Sequence, residues 1–477
     1  MNSLITTDKR VIALYLFGAF LALLVLNISS IAILFPFVIL FLLATLISPD
    51  VAYISIVASI PVALEIGGGL TVTTILMPMA ILFLLMNASV NRCRWPITVT
   101  GTEALFAMGF FLTIVISAIL SANVGFAIKD SMVTIVFFII FFTTLTYVKD
   151  ETSLNRLIWV LIITGIIEAL ITVAQVKIGF TLPGKWRLTN METLDLNTEF
   201  RADGTTTHPI TLAHFLQLTI VVTAAQIMWN RTLWIKVILA AGLGIMLVAW
   251  YYSFSRSSFI AVGGTLGLAL FMKGKAWRYS LIVVGIFGVL LMLILKFESF
   301  SDLVQRVEAM SFFSGSAAKL NINAGSDSYG FRTEQFVATW DLFLDHPIVG
   351  VGFDQGIRHY VPYLPPWAVS YIHPEVIHNI FLAVMCELGL FGLVAFTGLW
   401  VSAFRSLKMA WTHEQFGRYS KLVFLILIGQ IVVGTMNPIM REIWLSLAMA
   451  GAIGKLAIPD KIMNYNDQTI RGNEIAG

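Results

Sequence analysis

The sequence contains few charged residues for its length. Asp, Glu, Lys and Arg make up 12% of its 477 residues, hydrophobic residues make up 58%, and the mean hydropathy is +0.87. A soluble domain carries about 25% charged residues, so this composition excludes an ordinary soluble protein. The net charge of +3 is too small to indicate a nucleic-acid partner. The composition therefore predicts a polytopic membrane protein.

Cysteine is scarce, and motifs for metals or nucleotides are lacking. Cys93 and Cys386 are too few for a disulfide framework or a zinc pattern. No glycine-rich phosphate loop precedes a strand-like run. His208 and His214 could pair at a metal, but no carboxylate or cysteine at a familiar spacing completes the ligand set. We therefore predict no metal site.

Long apolar stretches predict an all-α fold with about 12–14 transmembrane helices. Lys9 and Arg10 precede the first stretch as in a signal peptide, but a second apolar run follows at once, so we interpret the first as a retained span. The candidate spans lie near residues 11–28, 31–48, 51–66, 70–86, 104–121, 129–147, 156–176, 209–229, 233–252, 257–272, 278–297, 378–404, 419–435 and 441–458.

The distribution of basic residues predicts which loops are cytoplasmic. Short cytoplasmic loops are enriched in Lys and Arg, and a cytoplasmic N-terminus gives these loops most of the 30 basic residues. The C-terminal tail is then cytoplasmic, whereas residues 181–209, 298–377 and 435–441 and the corner at Arg256 face the outside. Some basic residues on the outside run against the rule and indicate an anionic ligand there: Arg201, Arg256, Arg332, Arg358 and Arg441.

Two short outer segments are candidate anion sites. Arg256 lies among tyrosines and serines, where a guanidinium can bind a phosphate or diphosphate through two parallel hydrogen bonds. The alternative is an interfacial arginine that reaches lipid headgroups. Arg201 begins a segment with Gly204, three threonines and Pro209, a composition that suits anion binding at a helix N-terminus. A solvated loop with a helix cap is the alternative for this segment.

The outer segment 298–377 has internal order. A four-residue spacing predicts an amphipathic helix against the membrane or the protein surface. Residues 346–347 end this helix and residues 350–352 form a turn. Prolines, tyrosines and tryptophans follow, and aromatic faces suit either the membrane interface or stacking on sugar rings. The helix is defined by Arg332, Phe336, Trp340, Phe343 and Leu344.

His378 is the candidate catalytic residue. It precedes Asn379 at the outer end of a long apolar run, and imidazole is suited to act as a general base near neutral pH. The alternative is a helix cap or an interfacial contact. Two carboxylates lie within predicted spans. Glu387 is about two and a half turns after His378, on the opposite face, and we interpret it as structural. Glu168, with Gln175 on the same face, is the best support for a proton-coupled transporter.

Residues 200–400 resemble the O-antigen ligase and polymerase superfamily of bacterial envelope biogenesis. The resemblance depends on the Phe254–Ser258 corner, the Arg332–Gly352 segment and the His378–Leu393 segment. The Arg201–Gly204 segment with Pro209 is similar to a further family element. Residues 1–180 match only as generic spans.

The resemblance implies a fold, a reaction and roles for residues. The fold is that of GT-C-like lipid-dependent glycosyltransferases, with a large external loop over the site. The donor is an undecaprenyl-diphosphate-linked glycan and the acceptor is a glycan or a lipid-linked sugar. Arg201 and Arg256 would grip the diphosphate, Arg332 would support it, and His378 would be the base. No cofactor, nucleotide or metal is required. Membrane lipids and a chain-length regulator protein are the other implied partners.

We therefore expect a polymerase of O-antigen or exopolysaccharide at the outer face of the bacterial inner membrane, since no feature specifies a lipid A acceptor. An O-antigen ligase that transfers the glycan to lipid A-core or another acceptor is the alternative. A secondary transporter would predict inverted repeats, which the sequence does not display. The expected domains are an N-terminal transmembrane bundle at 1–180, a catalytic region at 181–404, and C-terminal helices with a cytoplasmic tail at 405–477.

Overall fold

The computed structural model describes residues 49–62, 65–67, 70–71, 101–178, 202–206, 208–253, 255–271, 328–369, 377–435 and 441–458. Their regular secondary structure is helical apart from one short antiparallel hairpin of Glu65–Gly67 (β1) and Leu70–Thr71 (β2). The α-helices are Pro49–Ala58 (α1), Thr102–Leu120 (α2), Val124–Tyr147 (α3), Glu151–Ile178 (α4), Pro209–Trp229 (α5), Leu233–Tyr252 (α6), Arg256–Phe271 (α7), Ser328–Asp345 (α8), Gly356–His359 (α9), Pro366–Val369 (α10), Ile380–Ala410 (α11), Gly417–Gly434 (α12) and Arg441–Leu456 (α13).

Seven of the described helices are long and apolar enough to cross a membrane, namely α2 to α6, α11 and α12. The prediction of an all-α polytopic membrane protein is confirmed. The predicted spans at 11–28, 31–48 and 278–297 lie outside the described residues, so the predicted number of 12–14 spans stays a prediction.

The exposed side chains of α2 show how these helices divide their surface. Leu105, Leu112 and Ile119 recur every seven residues and are exposed, whereas Ala107 and Phe110 on the other side are buried. A seven-residue spacing keeps side chains on one side of a helix, so α2 presents one apolar side outward and another to the protein core. The outward side suits contact with lipid chains.

Aromatic packing around Trp444 of α13 forms part of the core. Its indole is fully buried, stacks on Phe137 of α3 with ring centroids 6.0 Å apart, and lies 5.4 Å from the Phe110 ring. Phe110 in turn contacts Phe396 of α11 at 5.4 Å. Large rings from four helices therefore fix the positions of α2, α3, α11 and α13 relative to one another.

The predicted span at 51–66 is wrong as a continuous helix. Helix α1 ends at Ala58, and a turn follows in which the Val62 amide donates to the Ser59 carbonyl. Pro61 lacks an amide hydrogen and disfavours helical conformation in the residue before it, which accounts for the end of the helix. Hydropathy alone did not reveal this stop.

Helix α11 is broken at Gly389, where φ is 65° and ψ is −162°. At the break, the carbonyl oxygens of Cys386 and Glu387 accept hydrogen bonds from the amides of Val351 and Gly352, both at 3.0 Å. The segment after α8 is therefore hydrogen-bonded directly to the broken helix. This pairing attaches the segment between α8 and His378 to the transmembrane bundle.

Candidate functional site

His378 lies immediately before α11, and the adjacent Asn379 caps that helix. The Asn379 Oδ1 accepts from the amides of Phe381 at 2.9 Å and Leu382 at 3.1 Å, which satisfies two donors of the first turn. Its Nδ2 donates to the Thr435 carbonyl at 3.3 Å. His378 is buried. The next residue, Asn379, is held by hydrogen bonds to the first turn of α11 and to Thr435.

Gln335 of α8 holds the main chain of His378. Its Oε1 accepts from the His378 amide at 3.0 Å, and its Nε2 donates to the Tyr360 hydroxyl at 3.2 Å. Gln335 and Tyr360 are fully buried. Arg332 precedes Gln335 by three residues, so it lies on the same side of α8 and is half-buried. The structure thus brings Arg332 and His378, two predicted site residues, to the same region.

Helix α8 confirms the predicted helix and its end. The side packed on the protein consists of Gln335, Ala338, Thr339 and Leu342. The predicted stripe contains exposed residues, since Trp340 and Leu344 are 48% and 56% exposed. The exposed apolar residues are compatible with the predicted contact with the membrane, whereas the buried polar side chains Gln335 and Thr339 line the contact with the bundle.

The segment 202–206 is attached to the ends of α4 and α6. The Ala202 amide donates to the Tyr252 carbonyl at 3.0 Å, and the Gly204 amide donates to Gln175 Oε1 at 2.9 Å. Burial raises the pKa of the Asp203 carboxyl to about 6, which reduces its negative charge at mildly acidic pH. Arg201 itself lies outside the described residues. The hydrogen bond of its neighbour Ala202 to Tyr252 places the start of the described segment at the end of α6.

Glu168 and Gln175 of α4 support this segment. Glu168 Oε2 accepts from the Thr205 hydroxyl at 2.6 Å, and its Oε1 accepts from the Thr205 amide. The Gln175 Nε2 donates to the Gly204 carbonyl at 2.8 Å. Gly204 has φ of 62°, and a Cβ there would lie 2.2 Å from Glu168 Oε1, so only glycine fits. Glu168 is the buried carboxylate that favoured a transporter. Its hydrogen bonds with Thr205 give it a structural role instead.

Arg256 is the first residue of α7, and its side chain lies outside the described residues. The corner around it is built from short hydrogen bonds: the Ser258 hydroxyl donates to the Ser255 carbonyl at 2.9 Å, and the Trp250 Nε1 donates to Ser258 Oγ at 3.0 Å. Because Ala202 is bonded to Tyr252, the residue after Arg201 lies beside the turn that leads to Arg256. The backbone thus brings these two predicted anion segments together.

Helix α12 connects the two parts of the candidate site. It packs against α7, which begins with Arg256, and against α11, which follows His378. Thr435, which immediately follows its last residue, accepts the hydrogen bond from Asn379. The corner at Arg256 and the start of α11 are therefore supported by one helix.

The remaining polar residues singled out in this region have protein partners. Glu387 Oε2 accepts from the Asp354 amide at 3.0 Å, which confirms the structural interpretation of Glu387. Arg358 lies 3.8 Å from Asp130 and its guanidinium covers the Phe126 ring at 4.2 Å. The Arg441 guanidinium donates to the Ile60 carbonyl at 3.3 Å. Arg358 and Arg441 thus contribute to the fold.

Metal coordination has no support among the described residues, where no group of three or more His, Cys, Asp or Glu side chains could hold an ion. His208 instead caps α5, since its Nδ1 accepts from the Ile210 amide at 3.1 Å. His214 lies further along the same helix and is buried.

Comparison with known families places these residues in context. A family model described as O-Antigen ligase matches residues 241–397. The matched range includes Arg256, Arg332 and His378, whereas Arg201 precedes it. No curated protein matches the chain at a significant level. Residues 241–397, about a third of the chain, are therefore similar to the O-antigen ligase family, in agreement with the resemblance seen in the sequence.

Proposed function

We propose that the protein is a glycosyltransferase that polymerises an O-antigen or exopolysaccharide from an undecaprenyl-diphosphate-linked donor. The family match supports a function of the O-antigen ligase or polymerase type, without distinguishing the two. The observation that carries the proposal is the attachment of His378 to Gln335, on the same helix side as Arg332. Transfer of the glycan to lipid A-core or another acceptor, as an O-antigen ligase, is the alternative.

The proposed reaction is a displacement at the anomeric carbon of the donor. The acceptor hydroxyl oxygen forms the new glycosidic bond, and the bond from the anomeric carbon to the diphosphate breaks with its electrons on the leaving diphosphate. His378 accepts the hydroxyl proton as the new bond forms. Arg201, Arg256 and Arg332 meet the charge that develops on the diphosphate. Guanidinium groups supply this stabilisation, so the proposal requires no metal or nucleotide.

The proposed location is the bacterial inner membrane, with both termini cytoplasmic and the site on the periplasmic side. The excess of basic residues in the short loops on the opposite side supports this orientation. Membrane lipids, the lipid-linked donor and a glycan or lipid-linked acceptor are the proposed partners. We include a chain-length regulator protein among them because a polymerase needs control of product length.

Polymerase and ligase activities are separated by deleting the gene and profiling the envelope glycans. For a polymerase we expect loss of long chains while a single repeating unit stays attached to the acceptor. Loss of every unit from the acceptor would instead assign the ligase reaction. A plasmid that carries the wild-type chain should restore the pattern, and one that carries His378→Ala should not.

Arg256 is expected to require its guanidinium. Arg256→Ala should weaken donor binding, and Arg256→Lys should not restore it, because an ammonium group cannot form two parallel hydrogen bonds with a diphosphate. Binding of a lipid diphosphate to the purified chain measures this directly. Arg231→Ala, on the predicted cytoplasmic side, is the matched control and should bind normally. Full activity of Arg256→Ala would contradict a role in donor binding and would favour the alternative, in which Arg256 contacts lipid headgroups.

Gln335 is expected to position His378. Gln335→Leu removes the acceptor of the His378 amide and should lower turnover by about tenfold to a hundredfold with little change in donor binding. Glu334→Leu makes a similar change at the preceding residue, on a different side of α8, and should leave turnover near wild type. Equal losses in both variants would contradict the positioning role.

A further inference from the structure

A small cavity lies between α5, α12 and α13, apart from the residues assigned to catalysis. His214 and Gln217 of α5, Gln430 of α12 and Glu442 of α13 line it. Its size suits about one water molecule. The side chains of His214, Gln430 and Glu442 are 6%, 7% and 3% exposed. Buried polar side chains from three helices therefore meet at this cavity.

Three atoms on this lining have no hydrogen-bond partner in the described part of the chain: His214 Nε2, Gln430 Oε1 and Glu442 Oε2. The other end of the Gln430 amide is bonded, since its Nε2 donates to Ser446 Oγ at 2.9 Å and to the Glu442 carbonyl at 3.2 Å. These bonds determine that the Gln430 oxygen faces the cavity. Buried polar atoms are costly without a partner, so three around one cavity indicate a shared ligand.

We propose that this cavity binds one ordered water molecule that bridges His214, Gln430 and Glu442. A buried water typically makes about three hydrogen bonds. Water can donate to Gln430 Oε1 and to a Glu442 carboxylate while it accepts from His214 Nε2–H. If the carboxyl carries the proton, water accepts from Glu442 and donates to the imidazole instead. A cation would require all three atoms to be acceptors, whereas water can donate or accept and therefore suits either protonation state of His214 and Glu442.

The bridged water stabilises α12 where that helix meets the start of α11. Gly434 lines the cavity and packs closely on α11, since a Cβ there would lie 2.9 Å from Ile380 Cγ2. The next residue, Thr435, accepts from Asn379, which adjoins His378. The proposal rests on the fold alone, so it stands or falls independently of the glycosyltransferase chemistry.

Cryo-electron microscopy of the full chain in lipid nanodiscs tests the proposal, at a resolution that shows ordered waters. We expect one density peak within about 2.7–3.2 Å of all three atoms. A collapsed cavity with a direct hydrogen bond between His214 and Glu442 would overturn it. A saturable rise of the Tm with Na⁺, absent in Glu442→Leu, would also overturn it by assigning a cation.

A double-mutant cycle on the purified chain gives a second test. His214→Phe and Glu442→Leu should each lower the Tm by a few degrees, and the double variant should lose less than the sum because both changes act on one water. Thr223→Val is the control, since its hydroxyl donates to the Thr219 carbonyl outside the cavity. The decrease in Tm caused by Thr223→Val should add to that caused by Glu442→Leu. Strict additivity of the His214 and Glu442 changes would contradict a shared ligand, and if a variant fails to fold, the wild-type density decides.

Discussion

Replacing His378 with alanine is expected to lower the rate of glycan transfer by about a hundredfold to ten-thousandfold, the usual contribution of a general base. Alanine leaves the acceptor hydroxyl without a group to take its proton, whereas the arginines that bind the diphosphate are unchanged. Donor affinity should therefore stay close to wild type. The measurement is transfer by purified, lipid-reconstituted protein at saturating donor, together with donor binding by the same preparation.

His346→Ala is the matched control for this experiment. His346 follows α8 in the same segment, but it is exposed and precedes the turn that leads to the broken helix. Its loss should leave transfer near wild type. Wild-type turnover in His378→Ala would refute the base assignment, whereas lost donor binding would make His378 a ligand of the diphosphate.

Three of the long apolar helices could be predicted from the sequence to within about two residues. Predicted spans at 104–121, 209–229 and 233–252 correspond to Thr102–Leu120, Pro209–Trp229 and Leu233–Tyr252. Hydropathy is a local property, and a helix in a membrane must satisfy its own backbone hydrogen bonds, so local composition determines these elements. The end of α8 before Pro347 was predictable for the same reason, since proline acts on its immediate neighbours.

The contacts that build the candidate site could not be predicted in this way. Gln335 and His378 are 43 residues apart, and Thr205 and Glu168 are 37 residues apart. Periodicity within one helix does not specify which polar residue meets a partner so distant in the chain. Glu168 illustrates the consequence, because a buried carboxylate indicates either a transport path or a structural hydrogen bond, and only its contacts with Thr205 distinguish the two.

The break in α11 also escaped the sequence analysis. Residues 378–404 form one continuous apolar run, and glycine alone does not announce a break because it is tolerated within membrane helices. The break becomes intelligible only with its partner segment, whose Val351 and Gly352 amides donate to the carbonyls before Gly389. The break depends on hydrogen bonds between two segments, so the sequence of α11 alone does not predict it.

Gly389→Ala is therefore expected to be among the most destabilising single substitutions in this chain. The backbone at Gly389 has φ of 65° and ψ of −162°, a region that is essentially restricted to glycine. A Cβ there would also lie 2.3 Å from the carbonyl carbon and oxygen of Ile348, which are backbone atoms that cannot rotate away. Backbone strain and overpacking together should cost about 2–6 kcal/mol of the free energy of unfolding. The Tm and the folded yield in detergent measure the loss.

Gly263→Ala provides the matched control for that substitution. Gly263 lies within α7, and no neighbouring atom of the described residues lies within 4 Å of the position that its Cβ would occupy. Alanine stabilises an ordinary helix interior by about 0.5–1 kcal/mol relative to glycine, so the Tm of this variant should equal or slightly exceed that of wild type. A Gly389→Ala chain as stable as Gly263→Ala would show that α11 can form an unbroken helix. The pairing of residues 351–352 with α11, which attaches the segment before His378 to the bundle, would then be dispensable.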